Sequence, residues 1–287
     1  MVDILFVVKS IDDAIWKCST RRIGSSSLNN KIKGTLNKFA EKTKNNTIEQ
    51  GLIIGGNGEE LDWHDGTYEN VSYDEDDVIN ALDKNNGKDL VFEHNHVGSF
   101  IDKRQSEEDE LEDLVQSNMP TLLSMPDIQI FFETTEYNGK KITPFKSITA
   151  DSTNGTRMTL TRIDGDGEDL TNNHVLKNIS DSRYEVNEAW KNMYSRWATF
   201  FNTYNENLKT FTANYRNEHY QKYYDEWISK GKDDNVWQEF WSNHNKERNN
   251  YAKQMIKEYY AEDVINKSVK EFKDIGFELY VEWRNEH

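Results

Sequence analysis

His94 and His96 stand one residue apart at the end of the apolar run Leu90-Val91-Phe92. Residues two apart in a strand project from the same side, so the two imidazoles are expected to leave a buried strand together. Nine residues separate His96 from Ser106-Glu107-Glu108-Asp109, after which Leu111, Leu114 and Val115 recur at helical spacing. Asp109 is then expected in the first turn of a helix, from which a carboxylate can swing towards both histidines. Two imidazoles and one carboxylate make a three-ligand set for zinc, with a fourth position for water. The same residues also have a plainer reading. Ser106 is a good N-cap with acids in the first turn, and histidines at a strand end can simply be solvated. An earlier Ser-x-x-Asp, Ser99 to Asp102, is set aside because no helical pattern follows it directly.

The ordered set of strand, His-x-His, loop, Ser-x-x-Asp and helix resembles the motif of the JAB/MPN (JAMM) zinc metallopeptidases. Its His-Asn-His form is similar to that of RadC-type and phage-encoded JAB domains, and the resemblance covers roughly residues 30–150. It implies that His94, His96 and Asp109 hold Zn2+ and that Ser106 helps to stabilise an oxyanion. It also implies an upstream glutamate that acts on the catalytic water. Glu49, just before Leu52-Ile53-Ile54, is the best match. Glu59, Glu60 and Glu93 are its rivals, and Glu93 ranks below Glu49 because it alternates away from His94 in a strand. The sequence departs from the family pattern in a longer spacer before Ser106 and in Val97, where a proline often stands. The implied activity is zinc-dependent hydrolysis of a peptide or isopeptide bond in a protein or peptide substrate. A reading from another class is a non-catalytic structural or interaction protein, for example a virion component, that retains the fold.

The composition bounds these readings. The 287 residues carry a formal net charge of −16. That charge disfavours a nucleic-acid partner, which needs a concentrated basic surface, and with it a DNA-processing role by analogy with RadC-type proteins. It also disfavours an anionic membrane. The single cysteine, Cys18, excludes an internal disulfide. The opening Met1 to Val8 is too short and too soon acidic for a signal peptide, and no stretch has the length of a membrane span. A cytoplasmic or virion location is expected.

The elements that must position the histidines follow from periodicity. Strands are expected over 2–8, 49–55, through Leu61 and Trp63, and over 89–93, 121–124, 128–132, 141–148 and 156–163. Gly55-Gly56-Asn57-Gly58 and Asn138-Gly139 read as hairpin turns. Helices are expected over 11–17, 30–44, 74–82 and 106–118. His64 falls next to a turn and reads as solvated. Asp164 to Asp169 reads as an acidic turn rather than a calcium loop, because it lacks the EF-hand spacing. The expected architecture is α/β: a JAB/MPN-like sheet flanked by helices over 1–150, a polar linker or sheet extension over 151–174, and an aromatic-rich helical region over 175–287. Six of the eight tryptophans fall in that last region. Their three-four spacing suits three or four amphipathic helices, broken at Lys230-Gly231. Such stripes are expected to be helix–helix core, with a protein-binding surface as the sharper alternative.

Overall fold

The computed structural model of the chain describes residues 21–67, 70–97, 122–152, 155–163 and 179–283. The expected strand at 2–8, the helices at 11–17 and 106–118, and the acidic turn at 164–169 lie outside them. The described chain is mixed α/β and divides into two compact units.

The first unit is built on a seven-stranded mixed sheet. In chain order its strands are β1 (Arg21–Gly24), β2 (Gln50–Gly55), β3 (Glu60–Asp65), β4 (Leu90–His96), β7 (Phe145–Ser152), β8 (Thr156–Arg162) and β9 (Phe277–Trp283). They lie in the order β1-β9-β8-β7-β4-β2-β3. Only β4 and β7 run parallel; every other pair is antiparallel. A two-residue turn at Asn138 and Gly139 joins β5 (Thr135–Tyr137) to β6 (Lys140–Ile142). Both turn residues have positive φ, 52° and 74°, as a tight hairpin of that length demands. The sheet therefore draws strands from both sides of residue 150 and from the far end of the chain.

One face of the sheet is covered by α1 (Asn30–Thr43). Asn29 caps it, accepting from Lys31 N–H and Ile32 N–H at 3.0 Å each. Its buried stripe Ile32, Leu36 and Phe39 packs on Leu52, Ile54 and Val91, with Trp63 at the margin. On this face a row of partners runs across five strands: Asn95, Asp151, Arg157, Glu282 and Arg22. Four of them alternate in charge. The buried Arg157 guanidinium donates to both Asp151 carboxylate oxygens at 3.0 and 2.8 Å, and to Leu36 C=O at 2.8 Å. Burial alone would lower the Arg157 pKa, but Asp151, Glu93 and Glu282 outweigh it and raise it. Arg157→Ala leaves Asp151 buried without its counter-charge. The expected loss is about 3–5 kcal/mol, read from urea unfolding of the variant against the parent.

The opposite face carries α2 (Glu75–Lys84) and the short α3 (Met125–Gln129), which continues as a 3-10 turn over Ile130–Phe132. Here the expected strands at 121–124 and 128–132 are corrected. Ser124 is an N-cap, proline sits in the first turn, and Asp127 closes a reciprocal capping box. Ile128, Phe131 and Phe132 are buried at helical spacing, a pattern that a five-residue apolar run cannot separate from strand alternation.

The second unit is helical and contains described residues 194–264. Within it, part of α4 (Ile179–Ser229) and α5 (Asn235–Met255) form an antiparallel hairpin. Ring pairs mark its seam: Phe211 with Tyr251, Tyr215 with His244, and Tyr223 with Phe240; Phe200 with Tyr260 continues it just beyond α5. Phe200, Tyr204, Tyr223 and Phe240 are core here, whereas Tyr220, Tyr224 and Trp241 are exposed, and the break falls at Lys230–Asp234. Helix α4 is 51 residues long and runs unbroken up to that point. A π-helical stretch, Ile256–Asn266, follows α5 and leads to α6 (Lys267–Asp274). Among the described residues, no helix is long and apolar enough to cross a membrane.

Candidate functional site

Strand β4 is central, with β2 on one side and β7 on the other. Its residues from Leu90 to Asn95 are buried, and only His96 at its end is partly open. Alternation turns Phe92, His94 and His96 to the face that carries α2 and α3. Phe92 stacks on His94 with centroids 5.2 Å apart and planes at 10°, which fixes the imidazole plane. The two Nε2 atoms meet at 2.9 Å. At that separation one ring must donate to the other, or a cation must take both lone pairs.

The carboxylate that completes the group is Asp127. Its Oδ1 lies 3.2 Å from His94 Nε2 and its Oδ2 3.4 Å from His96 Nε2. The capping box of α3 holds it there: Ser124 N–H donates to Asp127 Oδ2 at 2.5 Å, and Asp127 N–H donates to Ser124 Oγ at 3.3 Å. Burial alone would push the Asp127 carboxyl up. The charges of His94 and His96 and their hydrogen bonds outweigh burial and hold it well below the usual carboxylate range. The predicted Asp109 and Ser106 lie outside the described residues. Asp127 and Ser124 form another Ser-x-x-Asp, separated from His96 by residues 97–123. The signal that finds them is Ser-x-Pro-Asp, a serine cap followed by proline in the first turn.

Glu49 precedes β2, and its main chain is pinned to Thr67 C=O at 2.6 Å and to Gly66 N–H at 2.8 Å. The β2–β4 register pairs Gly51 with His94; carried on by two residues, it sets Glu49 opposite His96 on the same face. Burial raises the Glu49 carboxyl, His96 lowers it, and the Asp127 charge adds to the rise. Asn95, between the two histidines, accepts from Gln50 N–H at 2.6 Å and donates to Ile48 C=O at 3.3 Å. It thus holds both neighbours of Glu49, a positioning role that the sequence pattern did not reveal. Glu93 is fully buried, on the other face with Arg157. Glu59 and Glu60 belong to the exposed turn and outer start of β3.

Among the described residues, two groups of side chains could hold a metal ion: His94, His96 and Asp127, and separately Asp62, His64 and Asp77. The first offers two imidazole nitrogens and a carboxylate within 4.8 Å of one another. That donor set fits a borderline divalent ion such as zinc. A ligating histidine usually donates from its second nitrogen; His94 Nδ1 is buried with no such acceptor among the described residues. His64, read as a solvated turn residue, instead belongs to the second group. Comparison with protein-family models, with curated proteins and with solved structures finds no match to the chain.

Proposed function

We propose that the chain is a zinc-dependent hydrolase of peptide or isopeptide bonds with a JAB/MPN-like site. The observation that carries this reading is the convergence of His94 Nε2, His96 Nε2 and the Asp127 carboxylate, with the Glu49 carboxyl beside His96. Asp127 takes the role that the resemblance gave to Asp109, and Ser124 the role it gave to Ser106. His94, His96 and Asp127 would hold the ion, which would supply an activated water and polarise a substrate carbonyl. Glu49 accepts the proton of the attacking water and returns it to the leaving nitrogen as the C–N bond breaks. The cap uses Ser124 Oγ only as an acceptor, so its O–H is the donor for the developing oxyanion.

Elemental analysis of the purified chain tests the reading. His96→Ala is expected to lower bound zinc by about one equivalent per chain, because a two-donor remnant holds zinc poorly. Full retention of zinc by that variant removes the proposal. The alternative, a non-catalytic interaction protein, draws on the helical unit. There Tyr220, Tyr224 and Trp241 are exposed around an aromatic groove of about 650 Å³ between α4 and α5. Exposed aromatics of this kind are favoured anchors for a protein partner.

A further inference from the structure

We propose that Asp62, His64 and Asp77 form a second divalent-cation site, one that ties the edge strand β3 to the first turn of α2. Asp62 and His64 are two residues apart on β3 and share a face of the sheet. Asp77 is the third residue of α2 and lies over that face. His64 Nε2 is 3.2 Å from Asp62 Oδ2 and 3.4 Å from Asp77 Oδ2.

The construction repeats that of the first group. In both, a strand presents two ligands at i and i+2. In both, the third ligand is an aspartate held by a reciprocal capping box at a helix start. Asp77 Oδ2 accepts from Asp74 N–H at 3.1 Å, and Asp77 N–H donates to Asp74 Oδ1 at 3.0 Å. The box fixes the carboxylate before any ion arrives, so little side-chain freedom remains to be lost on binding.

An ion pair alone satisfies this group poorly. The single hydrogen on His64 Nε2 can serve one carboxylate, and two compete for it. Among the described residues, Asp62 Oδ2 is buried and makes no hydrogen bond, although His64 Nε2 is its near neighbour. The Tyr73 hydroxyl is also buried, facing the His64 main chain and the Asp62 and Asp77 carboxylates. Its ring lies on His64 with centroids 4.4 Å apart and closes one side of the group. A divalent ion accepts all three ligand atoms at once and offsets the surplus negative charge. The side chains of His64, Asp62 and Asp77 are 31%, 29% and 25% exposed, so the remaining coordination positions are open to water. One imidazole with two carboxylates favours zinc or manganese over calcium, which prefers an all-oxygen shell.

The two groups are separate centres. His64 pairs with Gly51, and Gly51 pairs with His94. Two strand spacings put them about 10 Å apart, well beyond the roughly 4 Å of a shared two-metal site. Tyr73 lies over the gap. A Cβ on Gly51 would come within 2.9 Å of its hydroxyl, so a side chain there would have to displace the ring.

The test uses the full chain carrying His96→Ala, stripped with chelator and titrated calorimetrically with zinc alone and with manganese alone. About one equivalent of at least one metal is expected to bind and to raise the Tm. Adding His64→Ala should abolish both effects. No binding of either metal by His96→Ala, or equal binding with and without His64, overturns the proposal. Circular dichroism in chelator reports whether the variants fold. Where His96→Ala does not, His64→Gln in the otherwise unaltered chain is expected to lower total bound metal by about one equivalent, and an unchanged total overturns the proposal. Failure of the first group leaves a different mark: the parent and His96→Ala then bind the same amount, and only His64 variants lose metal.

Discussion

Glu49→Gln is expected to abolish nearly all peptide or isopeptide hydrolysis while leaving zinc content and Tm close to those of the parent. The amide keeps the size of the carboxylate but cannot take up the proton of the attacking water. General acid–base assistance is typically worth about 100- to 10,000-fold in rate, and the loss should fall in that range. Little else should change. Glu49 is held by its main chain, through Thr67 and Gly66, and Asn95 grips the residues on either side. The fold therefore does not depend on the Glu49 carboxylate. The measurement is steady-state turnover of the parent and of Glu49→Gln on a screen of peptide and isopeptide substrates, with zinc determined in both. Equal turnover eliminates Glu49 as the base. Zinc in both without turnover in either moves the preference to the interaction reading, for which Trp241 at the exposed groove of the helical unit becomes the residue to replace.

The parts of this architecture that were legible in the sequence are those set by local periodicity. His94 and His96 announced themselves because a two-residue repeat must put both rings on one face. The same rule turned Glu93 away, and the structure has it on the Arg157 side. The β2–β3 hairpin was readable from Gly55-Gly56-Asn57-Gly58, and α1 and α2 from their apolar stripes and caps. What depends on distant contacts was not readable. Strand β9 pairs with β1 across most of the chain length and with β8 from beyond the whole helical unit, and no local signal carries such pairings. His64 looked like a turn residue because its partner, Asp77, arrives from a helix beyond the next loop. Ile128 to Phe132 looked like a strand because Ile128, Ile130 and Phe132 alternate, while Ile128, Phe131 and Phe132 fit the helical period equally well. The serine cap and the proline before them were the better guide, since they specify backbone geometry rather than burial.

Asp127→Asn is expected to remove about one metal equivalent per chain, whereas Asp102→Ala and Asp109→Ala should leave the metal content of the parent unchanged. The asparagine side chain retains an oxygen that can accept from Ser124 N–H, so the cap of α3 and the path of the chain are kept. It loses the negative charge that sits between two imidazoles. With that charge gone, the facing Nε2 atoms of His94 and His96, 2.9 Å apart, have neither a shared counter-ion nor a third strong ligand to complete a metal site. An amide oxygen is a far weaker zinc donor than a carboxylate. The helix itself should survive, because its buried Ile128 and the 3-10 residues Phe131 and Phe132 are untouched, and circular dichroism with thermal unfolding checks that they are. Loss of metal in Asp109→Ala with retention in Asp127→Asn would return the third ligand to the Ser106 motif. Asp127 would then be a buried acid neutralised by two histidines and nothing more.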